Sequence, residues 1–99
     1  MSAYLVVQLD VGDPSWVEEY VGAVPGIMLG FGGEKVAISN NIVRYESDER
    51  VPERAAIFSF PSLSAIDQFM TSAAYAPYAA ARRSCTTTEI IAFEDEAQG

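Results

Sequence analysis

Arginine and tyrosine side chains account for most of the chemistry that this sequence could perform. Arginine occurs five times against a single lysine, a bias expected where bidentate pairing or stacking on rings matters. Tyr20, Tyr75 and Arg82 stand where helices could bring them over a sheet, with Arg44 or Arg54 entering from the sheet. Aromatic walls with one or two guanidinium groups suit a flat carboxylate or an enol better than a cation or a sugar. These five residues therefore predict a pocket for a small acidic or aromatic molecule.

Each of these side chains also has a purely structural interpretation. Arg54 and Arg82 could pair with a carboxylate such as Glu46 or Glu53, because surface ion pairs are common and weak. The helical tyrosines could supply the large apolar bodies that helices need on their inner faces. Glu46 would serve as a general base only if it were buried beside aromatic rings.

Other reactive residue types are scarce. The sequence contains no histidine and one cysteine, Cys85, which excludes an imidazole-dependent triad and a disulfide within the chain. The glycine-rich segment 30–33 follows a predicted helix, whereas a nucleotide-binding loop follows a strand, so it indicates a helix stop. Residues 94–96 are adjacent carboxylates without the converging geometry of a cation site. We expect neither a metal ion nor a cofactor, and we interpret Cys85 as a small buried residue.

The length and the net charge of the chain limit the number of domains and the classes of binding partner. A chain of 99 residues with a net charge of −8 can bury one core. Nucleic acid and anionic membranes are disfavoured as partners, because both require a basic face. No apolar stretch approaches the roughly 20 residues that would span a bilayer, and the first residues do not resemble a signal peptide. We therefore expect a cytoplasmic protein.

The first half of the chain predicts a strand followed by a helix. In residues 4–11, apolar side chains at every second position predict a half-buried strand. Asp13 followed by Pro14 predicts a helix start, and apolar residues at the 3.6 spacing continue it towards the glycines at 30–33. Pro25 lies inside that pattern and predicts a kink or a break.

The second half predicts three more strands and a second helical region. Segments 36–38 and 42–45 are interrupted at 39–41, which predicts a bulge or tight turn within a second strand or strand pair. Three later segments complete the order: a strand at 55–60, a helical region capped by Ser62 and divided at Pro77, and a last strand at 86–93.

The order βαββαβ predicts an α+β fold of the ferredoxin-like type, with a four-stranded antiparallel sheet and two helices on one face. We expect a single domain over residues 1–99, with 94–99 as a fraying acidic tail. The other face of the sheet would carry Tyr4, Val6 and Ile57, and a second copy would cover it most simply. The sequence thus predicts a homodimer formed through the sheet faces.

The run Arg-Ala-Ala-Ile-Phe-Ser-Phe-Pro-Ser at 54–62, followed by Ser-Ala-Ala-Tyr at 72–75 and by Arg82, resembles the family called domain of unknown function DUF1330. The first half of the chain agrees with it as well: Asp13-Pro14 opens the first predicted helix, Tyr20 and Pro25 lie within it, and Gly32-Gly33 closes it. The resemblance therefore covers nearly the whole chain. It implies a dimeric α/β barrel, in which two ferredoxin-like subunits face each other through their sheets, and it implies no established reaction.

Two segments depart from the family pattern. Ser-Asn-Asn at 39–41 stands where many members carry Arg-Gly-Gly, and Phe69-Met70 replaces the usual aromatic pair in the second helix. An anion-binding role for that missing arginine therefore does not carry over to this chain.

Three functions are compatible with the sequence. The first is a dimer that binds a small molecule in a pocket of each subunit. The second is a cofactor-free enzyme, an oxygenase, isomerase or cyclase acting on an aromatic or polyketide-like acid, by analogy of fold alone. The third is a structural or stress-related interaction protein. A ligand-sized pocket with converging polar groups would distinguish the first two from the third.

Overall fold

A four-stranded antiparallel sheet forms one layer of the computed structural model, which describes residues 2–96. Its strands lie in the order β2-β3-β1-β4. A short 3-10 helix at Pro14–Trp16 leads into α1, and the predicted second helical region divides into α2 and α3. The bounds are β1 Ala3–Asp10, α1 Val17–Leu29, β2 Glu34–Ser39, β3 Arg54–Phe60, α2 Leu63–Met70, α3 Ala76–Cys85 and β4 Thr87–Glu94. The ferredoxin-like α+β order predicted from the sequence is confirmed.

The helix starts follow local capping chemistry. Asp13 accepts a hydrogen bond from the Ser15 N–H at 3.0 Å, and Ser62 accepts one from the Ala65 N–H at 3.1 Å, as expected for N-caps. Pro77 lies in the first turn of α3, where its missing N–H leaves no helical bond unmade. The prediction that Pro77 divides a helix is therefore wrong: it opens one.

Pro25 does not break the helix, because α1 continues through it to Leu29. Val24 and Met28, on either side of this turn, are both buried, and their packing favours helical backbone that proline alone would interrupt. The helix ends at Leu29, and the Gly33 N–H donates to the Met28 carbonyl at 2.9 Å. A Cβ on Gly33 would lie 2.4 Å from Met28 Cγ, so the chain approaches the helix too closely for any side chain.

The second strand is shorter than the sequence predicts. Pairing with β3 ends at Ser39, and the β-bulge lies between Lys35 and Ala37 rather than at 39–41. Ser39 Oγ accepts the Asn41 N–H at 2.9 Å, which turns the chain away from the sheet. Residues 40–53 form a connection without regular secondary structure, so the predicted strand at 42–45 is wrong.

The core lies between the helices and one face of the sheet, and aromatic rings form its centre. Phe69 of α2 is 1 % exposed and stacks on Tyr75 with ring centroids 4.4 Å apart. Phe60 of β3 and Phe31 also pack against the Phe69 ring. These contacts hold Tyr75 and the start of α3 in a fixed position over the sheet.

The opposite face of the sheet has no helix over it in the described part of the chain. The strand register places Ala37, Ile57, Val6 and Ile91 in one continuous row across all four strands. Ile91 is 65 % exposed, and in the neighbouring row Phe93 packs against Tyr4 with ring centroids 5.5 Å apart. We call the row formed by Ala37, Ile57, Val6 and Ile91 the open-face row.

The chain ends are tied to this sheet. β4 includes Glu94, whose carboxylate accepts the Leu63 N–H at 3.3 Å, and the Asp95 N–H donates to the Ser2 carbonyl at 2.7 Å. Residues 97–99 of the predicted acidic tail lie outside the described residues. Within residues 2–96, no helix is both long and apolar enough to cross a membrane.

Candidate functional site

Arg82 is the buried cation of the structure. It lies in the last turn of α3, is only 3 % exposed, and its Nε has no hydrogen-bond partner. The single ion pair within residues 2–96 joins Asp10 to Arg50, so Arg82 has no carboxylate partner there. The C-terminal end of the helix dipole favours a cation at this position, but it does not replace the solvation or the paired anion that a buried guanidinium requires.

Two tyrosines form a hydrogen-bonded pair beside this arginine. The Tyr20 and Tyr75 hydroxyl oxygens are 2.6 Å apart, although the residues are 55 positions apart in sequence. Tyr75 is buried, and its N–H donates to Ser72 Oγ at 3.2 Å. The guanidinium of Arg82 lies close enough to Tyr20 to act on its ionisation. The structure thus brings together three of the five predicted residues: Tyr20, Tyr75 and Arg82.

Burial raises the pKa of the Tyr20 phenol, and the adjacent Tyr75 raises that pKa further, whereas Arg82 lowers it by a smaller amount. Because the folded protein holds this proton more tightly than the unfolded chain, the stabilisation is complete below the ordinary tyrosine pKa of about 10. It is lost as the pH rises from there through the raised folded value. Alkaline ultraviolet titration of tyrosinate is expected to show one late step that Tyr20→Phe removes.

Tyr45 provides the matched control for this titration, because its side chain is 91 % exposed. Tyr45→Phe should leave the late step in place. A late step that survives in Tyr20→Phe would contradict the assignment.

An open cavity of about 420 Å³ lies beside Arg82, between the end of α2, the end of α3 and β4. Thr86 and Thr88 line it, and their hydroxyl oxygens are 2.6 Å apart. Met70 and Ile90 supply apolar walls, and Arg83 completes the lining. The sequence analysis missed the two threonines. Their two-residue spacing at the start of a strand, which places both on one face, is the signal that could have found them.

The two other predicted arginines lie elsewhere. Arg44 is in the 40–53 connection, where its Nη2 donates to the Arg50 carbonyl at 3.1 Å, and it lines a different cavity of about 320 Å³ together with Asp10 and Glu49. Arg54 begins β3 opposite Leu9 and lines neither of these two cavities. Neither Arg44 nor Arg54 lines the Arg82 cavity.

The remaining candidates have ordinary surroundings. Glu46 is exposed rather than buried among rings, and Glu53 accepts the Val11 N–H at 2.6 Å instead of an arginine. Cys85 is half-buried, with its Sγ 3.6 Å from Ser84 Oγ. Among residues 2–96, no three histidine, cysteine, aspartate or glutamate side chains converge as ligands for a metal ion.

Comparison with known proteins identifies the family of this sequence. Residues 2–95 match the sequence profile of the domain of unknown function DUF1330. The chain belongs to the DUF1330 family. The resemblance inferred from the arginine and Phe-Pro-Ser segments is thereby confirmed, and the family has no assigned function. No curated protein matches the sequence.

Solved structures share the fold of this DUF1330 protein at low sequence identity. A protein of unknown function from Rhodopseudomonas palustris has a TM-score of 0.75 at 13 % identity, covering 96 % of this chain and 82 % of its own. SnoaB from Streptomyces nogalater, a cofactor-independent oxygenase, has a TM-score of 0.66 at 18 % identity, covering 96 % and 93 %. A dimeric ferredoxin-like protein of unknown function from Jannaschia has a TM-score of 0.63 at 13 % identity, covering 96 % and 100 %.

Proposed function

We propose that this protein is a homodimer in which each subunit binds a small planar organic acid, with the acid group paired to Arg82. The observation that supports this most directly is a guanidinium that is 3 % exposed and has no carboxylate partner within residues 2–96. Leaving a buried charge unpaired costs about 3–5 kcal/mol. A ligand carboxylate would offset that cost by accepting charge-assisted hydrogen bonds.

The lining of the Arg82 cavity favours an aromatic or unsaturated acid. Its volume of about 420 Å³ falls within the usual range for small-molecule sites. Met70 and Ile90 would contact an apolar ring, while Thr86 and Thr88 provide hydroxyl groups at the polar end. A cation would meet Arg82 and Arg83, and is therefore disfavoured.

Dimerisation through the sheet follows from the open-face row. Its four apolar side chains are contiguous across the sheet, and exposed apolar patches of this kind mark interfaces. The solved neighbour from Jannaschia is described as dimeric, which supports the same assembly here. The cytoplasmic location expected from the sequence stays a prediction.

Ligand binding is tested with benzoate, other aromatic acids and small aliphatic acids, by calorimetric titration and by the shift in melting temperature. We expect wild-type protein to be stabilised by a subset of planar acids. Arg82→Lys keeps the charge but removes the bidentate fork, so binding should weaken by about tenfold to a hundredfold. Arg50→Gln is the matched control, because it removes a guanidinium that is exposed and belongs to a different cavity.

Acid binding that is equal in wild type and Arg82→Lys would refute the assignment. Stronger stabilisation by organic cations at this cavity would do the same. Loss of binding in Arg50→Gln to the same extent would show that the loss is not specific to Arg82, which also contradicts a defined site there.

A second candidate function is cofactor-independent oxygenation of the bound acid. The likeness to SnoaB favours it, although the fold alone does not determine a reaction. The acids that bind are incubated with the protein in air and followed by mass spectrometry. Product that has gained oxygen atoms supports the enzyme, and unchanged acid supports the binding protein.

A further inference from the structure

A third cavity, of about 190 Å³, lies between the start of α1 and the start of α3, and it is separate from the Arg82 cavity. Its volume is several times the roughly 30 Å³ that one water occupies in the liquid, so a small organic group would fit. Half of its lining residues are aromatic: the lining consists of Trp16, Glu19, Tyr20, Pro77, Tyr78 and Ala81.

Two of the rings stand at right angles to each other. The Trp16 and Tyr20 ring centroids are 5.1 Å apart and their planes meet at 87°. The Tyr20 hydroxyl is bonded to Tyr75, and the Trp16 Nε1–H points to the Val11 carbonyl at 3.5 Å, so both rings are tethered at their polar ends. A cation within about 6 Å of a ring face is attracted by the ring's quadrupole, as in the aromatic cages that recognise quaternary ammonium ligands.

The lining of this cavity carries charge of one sign, whereas the buried Arg82 acts on the Tyr20 hydroxyl from outside the lining. Glu19 is the only acidic or basic residue among its lining residues, and it is exposed in the first turn of α1. The protein as a whole carries a net charge of −8, which concentrates cations near its surface. An anion would meet the Glu19 carboxylate and the negative faces of the rings, so this site selects against the acids proposed for Arg82.

We propose that the cavity formed by Trp16, Tyr20, Tyr78 and Glu19 binds the alkylammonium group of a free small-molecule cation, with a quaternary ammonium as the best fit. The methyl groups of such a cation would contact the rings, and the charge would face Glu19. The ring of Tyr20 forms part of this cavity while its hydroxyl contacts Tyr75, and this cavity shares no lining residue with the Arg82 cavity.

The experiment uses the only tryptophan of the chain as the reporter. Tetramethylammonium chloride and choline chloride are titrated into the protein while Trp16 fluorescence is recorded. The alcohol 3,3-dimethylbutan-1-ol serves as the uncharged isostere of choline, and sodium chloride at equal ionic strength serves as the salt control. We expect a saturable change with both cations at millimolar concentrations, and a change at least fivefold weaker with the alcohol and with sodium chloride.

Matched variants locate the binding. Glu19→Gln should weaken cation binding at least fivefold, whereas Glu18→Gln removes the neighbouring carboxylate, which does not line the cavity, and should leave binding unchanged. Tyr78→Leu should also weaken binding, because it removes one ring. Arg82→Lys should retain cation binding, which distinguishes this site from the acid site.

Three outcomes would overturn the proposal. The neutral alcohol could bind as well as the cations, Glu19→Gln and Glu18→Gln could have equal effects, or the protein could bind phosphatidylcholine vesicles while ignoring free choline. The last result would assign the surface to a membrane headgroup instead of a free small molecule.

Discussion

Replacing Ile91 by aspartate is expected to halve the mass of the protein in solution, from twice the 10.7 kDa of one chain to a single copy. Ile91 is 65 % exposed in the isolated subunit, so a charge there costs that subunit little. In the proposed dimer, the side chain at position 91 would be covered by the sheet of the partner. Burying an unpaired carboxylate costs several kcal/mol. Since about 1.4 kcal/mol corresponds to a tenfold change in affinity, this cost should dissociate the dimer. Light scattering coupled to size exclusion at micromolar concentration measures the result.

Val21→Asp is the control for this experiment, because Val21 is 62 % exposed but lies on α1 rather than on the open face. It should leave the mass unchanged. Ile57→Asp is expected to give monomer or insoluble protein, since Ile57 is central in the open-face row and less exposed than Ile91. A wild-type mass of one chain, or a dimer that survives both Ile91→Asp and Ile57→Asp, would rule out assembly through this face.

Phe69→Ala is expected to destabilise the fold by about 3–5 kcal/mol. The Phe69 ring is 1 % exposed and contacts three other rings, those of Phe31, Phe60 and Tyr75. Small domains have about 5–15 kcal/mol of total stability, so this variant should unfold at a much lower urea concentration. Unfolding is followed by circular dichroism at one fixed protein concentration, because a dimer's stability depends on concentration.

Leu63→Ala on the same helix gives the comparison, since Leu63 is 41 % exposed and should cost far less. If Phe69→Ala does not fold, Phe69→Leu retains most of the apolar volume and should show an intermediate loss. Equal losses for Leu63→Ala and Phe69→Ala would mean that the aromatic cluster is not the centre of the core.

Several elements were predictable because their causes are local. Alternating side chains define β1, Asp13 and Ser62 cap the helices through bonds that span two or three residues, and the strand and helix order then fixes the ferredoxin-like topology. The predicted strand at 42–45 is wrong because its cause is not local: these residues favour a strand by propensity, but a turn at Ser39 directs the chain away from the sheet. Pro25 does not break α1, because its neighbours Val24 and Met28 are buried.

The sequence by itself determined the element order, the apolar content of both sheet faces and the residue types available for chemistry, because periodicity and composition are properties of short segments. Only the tertiary structure decided which charges are paired. Asp10 has Arg50 as its partner, whereas Arg82 is buried without a carboxylate partner among residues 2–96. The Tyr20 and Tyr75 hydroxyl groups form a hydrogen bond although the residues are 55 positions apart in sequence. Such pairings depend on how helices pack on the sheet, and that packing is set by long-range contacts that no local pattern contains.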